Sequence, residues 1–205
     1  MIDGQLRRVL RRPLHGAAGM LDVGWITPNR LSVLGLMFGL ASAGCAAATW
    51  WLPALAAWLL SRVFDGLDGA LARRRDSGGG SEVGGFIDIM ADFTVYGATV
   101  VGVAIGAATA YNAPWWPFLL VLLAYYLNGA AFLAFSSIAE RTGKQIDDGR
   151  SLSFLGRLAE GTETIVAHSA WLIFPGIAWQ IALVWAGFVL ISAAERVLRA
   201  IRVLR

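Results

Sequence analysis

Residues 65–92 read DGLDGALARRRDSGGGSEVGGFIDIMAD, and the rest of the chain is understood from this stretch. Two aspartate pairs flank a glycine-rich linker: Asp65 with Asp68 at i, i+3, and Asp88 with Asp92 at i, i+4. Either spacing sets two carboxylates on one face of a helix. Both pairs lie in otherwise apolar segments of bilayer length, where an uncompensated carboxylate is expensive. A cation held between two neighbouring helices accounts for both pairs.

The composition fits that setting. Of 205 residues, 57% are hydrophobic and 15% charged, which is wrong for a soluble globule and right for a polytopic membrane protein. The single cysteine, Cys45, sits in an apolar run, so neither a disulfide framework nor a thiolate metal site is expected. The N-terminal region is too charged for a cleavable signal peptide. The net charge of +3 is read as positive-inside bias rather than as a nucleic-acid surface.

The expected fold is all-α: six transmembrane helices behind an interfacial amphipathic N-terminal helix. Residues 1–26 form the arm and 27–205 the membrane domain. In the arm, Leu6, Val9 and Leu10 make an apolar stripe, with Arg7, Arg8, Arg11 and Arg12 facing away towards anionic headgroups. Thr27-Pro28-Asn29 caps and starts the first span, about Arg30–Trp51. Within it Gly35 and Gly39 form a GxxxG pair, equally well read as a helix-packing face or as small residues common in membrane helices. The remaining spans are expected near Ala54–Ala72, Gly84–Ala110, Phe118–Ser137, Leu158–Phe174 and Ile177–Ala194. The turns near 50–53, 111–117 and 174–179 carry no charge, whereas the basic residues other than Arg62 gather in the arm, at Arg30, in the 73–75 and 140–157 loops and near the C-terminus. That pattern predicts both termini and the aspartate site on the cytoplasmic side.

Four carboxylates suit a hard divalent cation, so one or two Mg²⁺ or Mn²⁺ ions are expected, and zinc is disfavoured without Cys or His nearby. Gly66, Gly69, Ala70 and Ala72 keep the intervening helix surface low, and Arg73 lies close to the face of Asp68. Metal, small residues and arginine together describe a site for a diphosphate. A carboxylate to spare can accept a proton from an attacking hydroxyl. The competing reading is a set of structural ion pairs, Arg62 with Asp65 and Arg73 with Asp68 or Asp88.

Asp65, Asp68, Gly69, Ala72, Arg73, Gly84, Asp88 and Asp92 match the pattern D-x2-D-G-x2-A-R followed by G-x3-D-x3-D, with a ten-residue loop, Arg74 to Val83, between the halves. The segment resembles the CDP-alcohol phosphotransferases. Glu160-Gly161-Thr162-Glu163-Thr164 before a Phe-Pro turn, with Glu195-Arg196 near the end, is most similar to a bacterial inner-membrane subgroup of that family. The resemblance implies an enzyme that moves a phosphatidyl group from CDP-diacylglycerol or a related CDP-lipid to a polar alcohol, releasing CMP, in phospholipid biosynthesis. It implies that Asp65, Asp68 and Asp88 bind metal, and that Asp92 is the general base and touches a second ion. Gly69, Ala72 and Arg73 then contact the CDP moiety, with Asn29 near the cytosine. It also implies a homodimer with no nucleic-acid partner. A cation or solute transporter is the alternative; a lipid-binding scaffold is a third reading. Arg62 is read as supporting a metal ligand rather than touching substrate. Arg157 and Arg196 are the acceptor-phosphate candidates. Glu160 and Glu163 are read as ion-pair partners, and His168 as a buried, hydrogen-bonded residue.

Overall fold

A computed structural model of the chain describes residues 16, 19–20, 22–75, 82–143 and 161–205. From residue 28 onward the described residues form six α-helices, with no strand among them: α1 Pro28–Ala47, α2 Trp51–Arg75, α3 Glu82–Tyr111, α4 Trp116–Arg141, α5 Gly161–Ile173 and α6 Ala178–Leu204. A short 3-10 turn, Pro175–Ile177, joins the last two. The class is all-helical, as the composition requires. Four helical stretches are long and apolar enough to cross a membrane: α1, α3, α4 and the 175–204 segment that contains α6. Helix α2 is 25 residues long, but Arg62, Asp65, Asp68 and three terminal arginines lower its hydropathy. Helix α5 has 13 described residues. The expected amphipathic helix, for all but a few residues of its C-terminal end, and the loop cations Lys144, Arg150 and Arg157 lie outside the described residues.

Local signals set the helix ends. Thr27 is extended, its hydroxyl accepts from the Arg30 N–H at 3.3 Å, and Pro28 fills the first turn. The helix stops at Ala47, short of the Trp51 that hydropathy suggests. Thr49 there takes a left-handed φ of 64°, and the Trp50 N–H donates to the Cys45 carbonyl at 2.8 Å. At the other end of the chain α6 runs past the expected end near Ala194 to Leu204. No Gly or Pro interrupts that last stretch, and Glu195 pairs with Arg199 one turn on at 3.7 Å.

Helix α1 is the floor of one half of the molecule. It packs extensively on both α2 and α3, while α2 and α3 touch each other little. Between apolar helices in lipid, such contact comes from close packing and interhelical hydrogen bonds. Here glycines supply the first. A Cβ on Gly39 would strike the Val95 side chain; Cβ atoms on Gly102 and Gly106 would strike the backbone carbonyls of Ala43 and Ala46. At Gly35 the Ser61 carbonyl would lie 3.3 Å from an added Cβ. The Gly35/Gly39 pair is therefore a packing face, matched by Gly102/Gly106 on α3. Serines supply the second: Ser42 donates to the Ala54 carbonyl at 2.8 Å and Ser61 to that of Gly35 at 2.7 Å. In the other half α4 pairs with α6, and α5 bridges α2 to α6. Trp58, Phe118, Val121, Trp171 and Val189 fill the shared core.

The approach to α1 is clamped to the end of α2. Arg75 donates to Asp22 at 2.8 Å, to the Ile26 carbonyl at 2.7 Å and to that of Val23 at 3.0 Å. Arg74 donates to the other Asp22 oxygen at 3.1 Å. These bonds, Arg75's first, hold the Asp22 carboxyl below its usual pKa.

Two outcomes follow from this packing. Gly106→Val should cost at least the ~1–3 kcal/mol of ordinary overpacking, because the clash is with backbone. Gly187→Ala, with open space around it, should be neutral or mildly stabilising. Thermal unfolding of the purified protein in detergent compares the two. A depressed carboxyl pKa stabilises the fold above the unfolded-state value and loses that contribution as pH falls. The melting-temperature gap between wild type and Asp22→Asn should thus be full at pH 7 and shrink below about pH 3.9.

Candidate active site

Because α2 and α3 pack their backbones on α1 and meet each other through side chains such as Arg62, a cleft opens between them, and the aspartates sit in it. Asp65 and Asp68 come from α2, Asp88 and Asp92 from α3. One oxygen from each of Asp65, Asp68 and Asp88 lies within 4.8 Å of the other two. The cavity beside them, about 10 Å³, is lined also by Ser32, Gly35 and Leu36 of α1, by Arg62 of α2 and by Ala91 of α3. That is about the room of one water molecule. Asp68 is the most enclosed of the trio at 5% exposure, and the Ser32 hydroxyl donates to its Oδ2. An α1 side chain thereby orients an α2 carboxylate.

Asp92 is not in this trio. One helical turn beyond Asp88, its Oδ1 instead accepts from Arg62 Nη1 at 2.7 Å. The same Nη1 stands 3.7 Å from Asp65 Oδ2, so the guanidinium bridges the two helices. Arg62 is buried and lies against the rings of Trp58 and Tyr96, each centroid 5.1 Å from its Cζ. It also donates to the Tyr96 hydroxyl at 3.2 Å and to Ser61 Oγ at 3.1 Å. The Arg62–Asp65 ion pair of the competing reading is present, but Asp92 is the closer partner.

The remaining sequence candidates are placed as follows. A Cβ on Gly69 would lie 3.1 Å from Arg73 Nη1, so the exposed Arg73 guanidinium spans the low surface at Gly69, with Ala72 half-buried beside it. Asn29 is exposed in the first turn of α1, separate from the cavity lining. Arg196 is buried against the Phe132 ring at 5.3 Å. Glu163 lies half-buried in α5, and Glu160 and Arg157 fall outside the described residues. His168 is fully buried, stacked on Trp58 at 4.7 Å, with Tyr125 Oη 2.8 Å from its Nε2. Trp185 Nε1 donates to the same Tyr125 oxygen at 2.7 Å.

Sequence reasoning missed Ser32, Ser61, Trp58 and Tyr96. Two of these carried a signal: Trp58 precedes Arg62, and Tyr96 follows Asp92, each at i, i+4, the spacing that stacks side chains on one helix face. The serines carried none, because only the crossing of α1 with α2 brings them to their acceptors.

Comparison with known proteins agrees with this geometry. The family model described as CDP-alcohol phosphatidyltransferase matches residues 25–194. The inner membrane protein YnjF of Escherichia coli is 36% identical over 215 residues, spanning 96% of this chain and all of that protein. A bifunctional IPC transferase and DIPP synthase of Thermococcus kodakarensis is 30% identical over 135 residues, which is 66% of this chain and 29% of that protein. Among solved structures, the phosphatidylinositol phosphate synthase of Mycobacterium tuberculosis with CDP-DAG bound superposes with a TM-score of 0.61 at 24% identity, covering 94% of this chain and 92% of that one. The same synthase in complex with manganese and citrate gives 0.61 at 22% identity, covering 93% and 88%. At those identities the likeness is one of fold. The apolar helices and the likeness to an inner membrane protein make this an integral membrane protein. With the family model spanning α1 to α6 and the motif aspartates gathered in one cleft, the chain belongs to the CDP-alcohol phosphatidyltransferase family.

Proposed function

We propose that the protein transfers a phosphatidyl group from CDP-diacylglycerol to a polar alcohol, with release of CMP, at a site made by Asp65, Asp68, Asp88 and Asp92. The observation that carries this reading is the convergence of three carboxylates from two helices within 4.8 Å. Asp65, Asp68 and Asp88 would hold Mg²⁺ or Mn²⁺, hard ions that take carboxylate oxygens. Among the described residues no cysteine or histidine joins the group, and an all-carboxylate set favours a hard ion over zinc. When bound, the ion supplies charge neutralisation of the diphosphate and stabilisation of the leaving CMP.

The chain's own residues do the rest. Arg73, spread over Gly69 beside Ala72, offers a forked donor to a diphosphate lying on a surface without bulky side chains. Asn29, in the first turn of α1, is assigned to the cytosine end of the donor. Asp92 receives the proton of the acceptor hydroxyl on Oδ2, since Oδ1 is taken by Arg62. The alcohol oxygen bonds to the β-phosphorus as the bond from phosphorus to CMP breaks. Arg196, and Arg157 outside the described residues, are the acceptor-phosphate candidates. The relative that binds CDP-DAG supports the donor class. The domain reading, 27–205 behind an arm of 1–26, has the support of a family match that begins at residue 25. Six spans with both termini cytoplasmic, and a homodimer, complete the proposal. A transporter is less well supported, because all four aspartates lie in the halves of α2 and α3 that adjoin residues 76–81, rather than on both sides of the helix midpoints.

Two experiments test this. Asp92→Asn should bind CDP-diacylglycerol nearly as wild type yet lose roughly 10²–10⁴-fold in CMP release, whereas Asp68→Asn should lose donor binding as well. Near-normal turnover by Asp92→Asn would move the base elsewhere. For topology, Asn112→Cys and Thr142→Cys, each in a chain whose Cys45 is replaced by Ala, are labelled with an impermeant maleimide on intact cells. Reaction at 112 and not at 142 is expected; the opposite pattern overturns the orientation.

A further inference from the structure

We infer that Arg62 is a built-in cation occupying the position between Asp65 and Asp92, so that the site takes one divalent ion per chain and not two. This rests on the metal-binding reading of Asp65, Asp68 and Asp88 above. It also gives Arg62 a role, that of a residue positioning Asp92.

Three observations carry it. First, the guanidinium bridges the two carboxylates a second ion would need: Nη1 is 2.7 Å from Asp92 and 3.7 Å from Asp65. Second, the remaining three carboxylates converge without Asp92, beside a cavity of about 10 Å³. Asp92 is not among the residues that line it. Third, Arg62 is not free to swing aside as a surface arginine would be. Its side chain is 6% exposed and lies against Trp58 and Tyr96. Its Nη2 donates to Ser61, whose own hydroxyl donates to the Gly35 carbonyl of α1. A second divalent ion would have to sit beside a fixed positive charge, and like charges in a low-dielectric cleft repel strongly. Arg62 thus neutralises Asp92 without consuming both its oxygens, and holds it one turn from the trio.

The test is Mn²⁺ binding to the purified full-length protein in detergent, read from the loss of the free-ion signal in electron paramagnetic resonance. It needs no turnover. Wild type should saturate at one ion per chain. Asp68→Asn should weaken that binding tenfold or more, and Asp92→Asn by less than about threefold, since Asp92 faces Arg62. Arg62→Gln should admit a second ion, and Arg62→Lys should stay at one. Two ions on the wild type, or one on a folded Arg62→Gln, would overturn the inference while leaving the metal site standing. If Arg62→Gln does not fold, Asp92→Asn decides: a loss as large as that of Asp68→Asn overturns it. No Mn²⁺ on the wild type would remove the metal reading beneath it as well.

Discussion

Four carboxylates share a cleft in the membrane domain with one buried guanidinium, and the structure is arranged around that imbalance of charge. An ion taken out of water must be paired or it destabilises the fold. Arg62 balances Asp92 and leans towards Asp65. The Ser32 hydroxyl satisfies one oxygen of Asp68. What remains is a trio with more negative charge than the protein itself offsets. Such a trio is tolerated where something positive is to be bound.

The cleft is held open by small residues that carry no charge. Helix α1 can lie against both α2 and α3 because glycines let backbone approach backbone on each side. The distance between the two aspartate helices is therefore set by Gly35 and Gly39 on one helix and by Gly102 and Gly106 on another. Ser42 and Ser61 keep α1 from sliding along α2, because each donates to a fixed carbonyl across the interface. Any side chain added on this floor would spread the carboxylates apart before it altered their chemistry.

Much of this was legible in the sequence. Helical class, the start of α1 at Thr27-Pro28 and the two carboxylate faces all follow from spacing and from local capping chemistry. The ends of α1 and α6 did not follow, because hydropathy ignores a left-handed turn at Thr49 and cannot see a polar helix continuing beyond the apolar stretch. The division among the aspartates was hidden too. Asp88 and Asp92 share a helix face in the sequence, and only the position of Arg62 across the cleft separates one from the other. Ser32 illustrates the limit of pattern reading: a single hydroxyl in an apolar span has no periodicity to betray its partner 36 residues away.

The arginine run 73–75 has two lives separated in time. By the positive-inside rule its three positive charges would count together while the chain is being inserted, and a lone acidic residue such as Asp22 would do little to offset them. In the folded protein Arg74 and Arg75 are spent on Asp22 and on two backbone carbonyls, and Arg73 alone remains at Gly69. A lysine at 75 would serve the first role unchanged. It could not serve the second, since a single ammonium cannot reproduce the planar fork that reaches Asp22, Val23 and Ile26 together. Insertion and assembly therefore constrain the same codon by different physics, and a substitution neutral to one is visible to the other.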